Sequence, residues 1–108
     1  MQLQCCNYGG DVQLHWRWDA AKDKANLQKH GISFETAMLV FEDPLALTLE
    51  DPYPDEERWR TIGRIVNIVM VVHTQPAFDP LTGAEVGRII SARKATSHER
   101  RMYEKGEQ

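Results

Sequence analysis

Apolar residues recur along the chain in two periods, and the switches between them outline its elements. Residues 15–18 (His15-Trp-Arg-Trp18) alternate as a short strand with both tryptophans facing one way. Residues 20–30 are rich in Ala, Lys, Leu and Gln, which predicts a helix opened by Asp19 as N-cap. Gly31 suits the left-handed ending, with Leu27 and Ile32 as the apolar pair of a Schellman motif. Ser33 caps a second helix, in which Phe34, Ala37, Met38 and Phe41 form one apolar stripe and Asp43-Pro44 stops the turn. Leu45, Leu47 and Leu49 then alternate as a half-buried strand, and 50–57, with Pro52 and Pro54, reads as an acidic loop.

The second half is β-patterned. In 58–65, Trp59, Thr61, Gly63 and Ile65 share one face; Arg58, Arg60, Ile62 and Arg64 share the other. Three arginines on one face argue against that face looking into an apolar core. Asn67 predicts a turn into 68–72, the most hydrophobic run and a central strand. Residues 75–85, with Asp79-Pro80 and Thr82-Gly83, predict an extended loop before a strand over 86–92. Thr96 and Glu99 have the spacing of a capping box for a terminal helix, and Gly106 is placed to end it.

The order is strand, two helices, four strands, helix. The later connections are too short for parallel crossovers, so an antiparallel meander is expected. With the two helices on it this makes an α+β domain of two layers. Residues 1–13 show no clear period and are expected to be a flexible leader, leaving 14–106 as a single domain.

Composition narrows the classes. A chain of 108 residues suits one modest core, and the run at 68–72 is far too short to span a bilayer. The N-terminus lacks the pattern of a secretory signal, so a cytoplasmic location is expected. Adjacent Cys5 and Cys6 give no disulfide framework, and with His15 they fall short of a zinc ligand set, so they read as reduced bystander thiols. The acids of 50–57 miss the calcium-loop spacing, and no Walker loop, HExxH or nucleophile elbow is present. No metal or cofactor is expected.

The net charge of −3 is unevenly distributed. Residues 42–57 hold seven acids and no base, whereas 88–105 hold six Lys or Arg against Glu99 and Glu104. Such polarity suits a local anion-binding face as well as ordinary solvated charge.

RNA cleavage needs no cofactor, because the 2′-hydroxyl already lies beside the phosphorus. A protein must take that proton, stabilise the phosphorane and protonate the leaving oxygen. Arginine suits the middle task, since its fork offers paired donors to phosphate. Arg58, Arg60, Arg64, Arg88 and Arg93 fall on neighbouring or near-neighbouring predicted strands; each alone reads first as surface charge, and it is their convergence that favours a site. Regular alternation puts Arg88 and Arg93 on opposite faces unless Arg93 lies past the strand end or a bulge intervenes. Candidate proton carriers are His30, Glu57, His73, His98 and Tyr103. His30, beside Lys29, serves equally as a helix C-cap, Glu57 also reads as an ion-pair partner, and Tyr103 reads first as packing.

Several of these residues resemble one family. Trp18-Asp19 with Lys22, Asn26-Leu-Gln-Lys-His-Gly31, Ser33-Phe-Glu-Thr-Ala37, Glu57-Arg58, Gly63 and Arg88-Ile-Ile-Ser-Ala-Arg-Lys-Ala95 with Glu99, Arg100 and Tyr103 look like the BrnT toxins. The resemblance covers about residues 16–104. It implies a RelE-like α+β fold and metal-independent cleavage of RNA that stops translation. It also implies a BrnA-like ribbon-helix-helix antitoxin in a heterotetramer, with operator DNA reached only through that antitoxin. In the endonuclease reading, Arg58, Arg64, Arg88 and Arg93 hold the phosphate, His30 or Glu57 moves protons, Lys29 adds charge and Tyr103 orients the substrate. A binding module without nuclease activity, acting as co-repressor, is the alternative. The leader before His15 and the long 75–85 segment depart from the family pattern.

Overall fold

The computed structural model describes residues 2–7, 13–52 and 56–106, with side chains from residue 14 onward. The strands are β1 (Gln2–Asn7), β2 (Gln13–Trp18), β3 (Leu47–Asp51), β4 (Arg58–Arg64), β5 (Ile68–His73), β6 (Ala77–Asp79) and β7 (Ala84–Lys94). The helices are α1 (Ala20–His30), α2 (Phe34–Ala37), which tightens into a 3-10 turn over Met38–Glu42, and α3 (Ser97–Lys105). The strands form one sheet in the order β1-β2-β7-β5-β4-β3, with β6 also pairing β7.

Local capping accounts for the helices. The Asp19 carboxylate accepts from Ala21 N and Lys22 N at 2.8 and 3.2 Å. At the other end Gly31, at φ 73°, donates its N–H to Leu27 O at 2.8 Å. This is the single-bond left-handed ending, where the sequence suggests a Schellman pair. Ser33 Oγ accepts from Thr36 N, and the Thr96–Glu99 capping box of α3 is complete.

Three expectations are corrected by the sheet. First, Gln2–Asn7 is not a leader without structure but a strand antiparallel to β2, its neighbour in the chain; its own residues carry no clear side-chain period. The side chains of Cys5 and Cys6 lie outside the described residues. Second, the sheet is not purely antiparallel. β3, β4 and β5 do form the meander, but β2 runs parallel to β7, with Leu14 opposite Glu85 and Arg17 opposite Arg88. The connection between β2 and β7 contains most of the chain, so the short-loop argument does not govern it. Third, 75–85 is largely the tip of a hairpin. β6 pairs β7 antiparallel, and Gly83, at φ 71°, closes the turn by donating to Asp79 O at 2.8 Å.

Apolar burial occurs on both faces. One core joins Trp16, Trp18, Phe34, Ala37, Val40, Val69, Val71, Ile89 and Ala92 beneath α1 and α2. The Trp16 and Phe41 rings stack at 4.1 Å, and Trp16 lies so close over Gly87 that a β-carbon there would meet its ring at 2.5 Å. The second core, Ile62, Ile68, Met70, Val72 and Tyr103, lies on the opposite face under α3. The arrangement is thus α+β with helices on both sides of the sheet, where two layers are expected. Ile62, in the arginine row of β4, is fully buried because α3 covers that end of the face.

Asn26 closes an edge. β2 ends beside Arg88, so the next part of β7 lacks a strand on that side. The Asn26 side chain takes its place, donating to Ala92 O at 2.8 Å and accepting from Ala92 N at 3.2 Å. It also donates to Ile32 O at 2.9 Å, tying α1 to both the sheet and the next segment.

Candidate active site: an arginine face assembled by a β-bulge

Pairing between β5 and β7 shifts register, from Val72 opposite Ser91 to His73 opposite Ile89. Ile89 and Ala92 both belong to the α1–α2 core, so the two residues between them, Ile90 and Ser91, both belong to the other face. That extra residue cancels the alternation problem: Arg88 and Arg93 emerge on the same face of the sheet. It is the face of Arg58, Arg60, Ile62 and Arg64.

Carboxylates hold these arginines in place. Glu56 Oε1 accepts from Arg58 Nε at 2.9 Å and from Arg88 Nη2 at 2.9 Å, and Arg88 Nη2 also reaches Oε2 at 3.2 Å. Hydrogen bonding from Arg58, and then the charges of Arg88 and Arg58, hold the Glu56 carboxyl below its usual range against some desolvation. Arg93 grips Glu99 with both terminal nitrogens, at 2.8 and 3.1 Å. Glu99 Oε1 also accepts from Thr96 N at 2.8 Å, so one carboxylate serves both the helix cap and the arginine. Burial, the largest influence, pushes Glu99 up, but bonds from Arg93 and Thr96 together outweigh it and its carboxyl lies below the ordinary range. Arg60 stands between the pairs, 3.5 Å from Asp51 and 4.0 Å from Glu99.

The sequence candidates therefore divide. Arg58 and Arg88 come together at Glu56, while Arg93 emerges on the same face five residues further along β7, at Glu99. Glu57 is exposed next to Glu56, which sequence reasoning passed over. Both carboxylates precede Arg58, and nothing in the one-dimensional pattern favours the residue two positions away as the bridging one. Arg64 is not in the cluster: six residues of extended strand, roughly 20 Å, separate it from Arg58. Its N–H instead donates to Asp43 Oδ2 at 2.8 Å.

Tyr103 belongs to the second core, and its hydroxyl donates to that same Asp43 oxygen at 2.6 Å. This bond, then burial, raises the phenol above its ordinary range, so it stays protonated. Burial pushes Asp43 up, but bonds from Tyr103, Arg64 N–H and Leu45 N–H outweigh it and its carboxyl lies low. The pair latches α3 to the end of the 3-10 turn. Lys29 and His30 sit at the end of α1; among the described residues neither makes a hydrogen bond or ion pair with the arginines. His98 is exposed on the first turn of α3.

His73 points the other way, into the α1–α2 face. Its Nδ1 is 2.8 Å from Thr74 O, an atom that can only accept, so Nδ1 carries the proton. Nε2 then accepts from the Thr61 hydroxyl at 2.6 Å, and Thr48 lies 2.9 Å from Thr61 Oγ1. His73 also meets Trp16 and Phe41 edge-on, and these groups line a cleft of about 870 Å³ on this face.

Burial lowers the His73 pKa from 6.5 despite the bond to Thr74. The unfolded chain therefore takes up the proton first as pH falls. The stabilisation is complete above pH 6.5 and is lost as pH drops toward the folded pKa. Thermal melts followed by circular dichroism should fall between pH 7 and 5, and His73→Gln should flatten that slope. Equal slopes would remove His73 as the source. The carboxylates Glu99 and Asp43 act in a separate window below about pH 4.5.

Comparison with known proteins shows the family. The chain belongs to the BrnT family, described as "Ribonuclease toxin, BrnT, of type II toxin-antitoxin system", whose model matches residues 18–99. Among solved structures it is similar to the Brucella abortus ribonuclease toxin BrnT, at 28% identity and a TM-score of 0.53, covering 74% of this chain and 94% of that one. No curated protein matches it. Membership makes an antitoxin its partner and RNA its target class. Among the described residues no helix is long and apolar enough to cross a membrane.

Proposed function

We propose that residues 14–106 form a metal-independent RNA endonuclease that slows growth by stopping translation in the cytoplasm. A ribbon-helix-helix antitoxin of the BrnA kind neutralises it in a heterotetramer, through which alone it reaches operator DNA. The observation that carries the catalytic reading is the pair Arg58 and Arg88 with Glu56 between their forks, on the face to which the bulge also turns Arg93. A carboxylate held by two guanidinium groups occupies a position that suits a phosphate equally well. In this reading the scissile phosphate displaces Glu56, Arg58 and Arg88 take its non-bridging oxygens, and Arg93 extends the positive surface. Arginines fixed before the substrate arrives stabilise the phosphorane charge without reorganising.

Glu57, exposed and next to Glu56 in the chain, receives the 2′-proton as the 2′-oxygen bonds to phosphorus. The bond from phosphorus to the 5′-oxygen breaks, and that oxygen takes a proton from water. Among the described residues Lys29 and His30 share no contact with the cluster. Tyr103 acts through its Asp43 bond, positioning α3.

The test is cleavage of a defined RNA by the purified chain in EDTA, without ribosomes. Products with a 2′,3′-cyclic phosphate on one fragment and a 5′-hydroxyl on the other are expected. Cleavage that appears only on adding Mg²⁺ would contradict the metal-independent reading.

A further inference from the structure

The six cations near the C-terminus are only partly used by the cluster just described. Arg93 is held by Glu99, but Lys94, Arg100 and Arg101 make no ion pair among the described residues. These three, with Arg64, line a groove of about 560 Å³ between the turn joining β4 to β5 and the outer face of α3. Ser97, Arg100, Arg101 and Glu104 form its helical wall, at the i, i+3, i+4, i+7 spacing of a single face. Glu99 and Tyr103 are directed the opposite way, into the sheet. Val66, Asn67, Ile68 and Ala95 complete the lining, and Glu104 is its one acid. Arg100 is oriented by a bond to Ser97 Oγ at 3.4 Å.

The contrast with the first cluster is informative. There every arginine has a carboxylate against it, a balance that suits a site where one anion replaces another. Here four cations face one acid across a polar groove, which is the composition of a surface that tracks a polyanion. The two places adjoin in the chain: Lys94 follows Arg93, and Arg93 Nη1 donates to the Lys94 carbonyl at 3.2 Å.

We infer that this groove binds the phosphate backbone of single-stranded RNA on one side of the cleavage position. It is thus a second RNA subsite, and the inference rests on RNA being the ligand of the arginine face. Regularly spaced phosphates match cations arrayed along one helix face better than the irregular acids of a protein segment do. The remaining lining offers Asn67 and Ser97 for sugar contacts and no aromatic side chain for base stacking, so sequence preference is not expected here.

The probe is a fluorescent 2′-O-methyl oligonucleotide of about twelve nucleotides, which binds but lacks the attacking hydroxyl. Its affinity is measured across salt concentrations for the wild type, the triple variant Lys94→Ala/Arg100→Ala/Arg101→Ala, and Lys24→Ala on exposed α1. The triple variant should bind about tenfold or more weakly, with the slope of log K against log salt reduced by about two, the value for three lost single-strand phosphate contacts. Lys24→Ala should bind as the wild type does. Unchanged affinity and slope in the triple variant would overturn the inference. So would an equal loss in Lys24→Ala, or polyglutamate displacing the probe as readily as unlabelled RNA does, which would point to an acidic protein. Because the probe cannot be cleaved, the outcomes separate. Groove-dependent binding by a chain that cuts nothing would retain the subsite and reject the endonuclease. Cutting by a wild type whose groove variant binds normally would do the reverse.

Discussion

Arg88→Ala is expected to reduce RNA cleavage by about 10²- to 10³-fold, the cost of removing one fixed donor to a developing oxyanion, while leaving the fold intact. The fold is preserved because the Arg88 backbone is secured independently of its side chain. Its N–H donates to Thr74 Oγ1 at 2.9 Å and its carbonyl accepts from Thr74 N at 2.9 Å. The side chain itself is 42% exposed, and its ion pair with Glu56 lies in water, where such pairs contribute little to stability. Arg93→Ala would lose activity less informatively. It strands Glu99, a carboxylate only 7% exposed that also caps α3, so misfolding and lost chemistry would look alike. Single-turnover cleavage together with a melting curve separates the two for Arg88. A folded Arg88→Ala chain that cleaves at the wild-type rate would remove Arg88 from the site.

The largest expected loss of stability for a polar substitution is at Asn26. Alanine there deletes three hydrogen bonds and leaves the N–H and carbonyl of Ala92 and the carbonyl of Ile32 without their partner. Ala92 is fully buried in the first core, so water cannot substitute fully. An unsatisfied buried group costs about 1–3 kcal/mol. Asn26→Ala should therefore lose about 3–5 kcal/mol, a large part of the total for a domain of this size. Asn26→Asp keeps the acceptor for Ala92 N but presents an acceptor to two carbonyls, so it should rescue little. Urea unfolding checks both. A loss under about 1 kcal/mol in the alanine variant would mean that α1 does not seal the edge of β7 as described.

Asn26 also illustrates what was legible in the sequence. It appears there within the family motif Asn26-Leu-Gln-Lys-His-Gly31, but its partner is 66 residues away, and no local pattern announces that bond. Signals that act within one turn were readable: the Asp19 and Ser33 caps, the positive φ of Gly31, and the Thr96–Glu99 box all take their expected roles. The strand over β5 was readable too, because a run buried on both faces has little polar character.

Features that depend on how distant segments meet were not. The parallel β2–β7 pair joins residues some seventy positions apart, and a strand's own alternation does not say which neighbour it takes. The same limit applies to Ile62. The row Arg58, Arg60, Ile62, Arg64 reads as solvent-facing, yet α3 covers its far half, so one face is apolar at one end and cationic at the other.

The candidate site was legible in its residue types more than in its geometry. Alternation required a bulge to unite Arg88 with Arg93 but could not locate it, since Ile89-Ile90-Ser91 carries no glycine or other local mark of an extra residue. Arg64 was grouped with Arg58 by sharing a face, a relation that ignores the distance along the strand. Glu56 and Glu57 both precede the same arginine, and only the Arg88 fork discriminates between them.

The central claim is that Arg58 and Arg88, brought together around Glu56, act on one phosphate. The most direct measurement is single-turnover cleavage of a defined RNA in EDTA by the wild type, Arg58→Ala, Arg88→Ala and the double variant. Groups that serve one charge are strongly non-additive, so the double variant should lose little more than the worse single variant. Losses that multiply would contradict the account, because they would mean that the two arginines act at separate places.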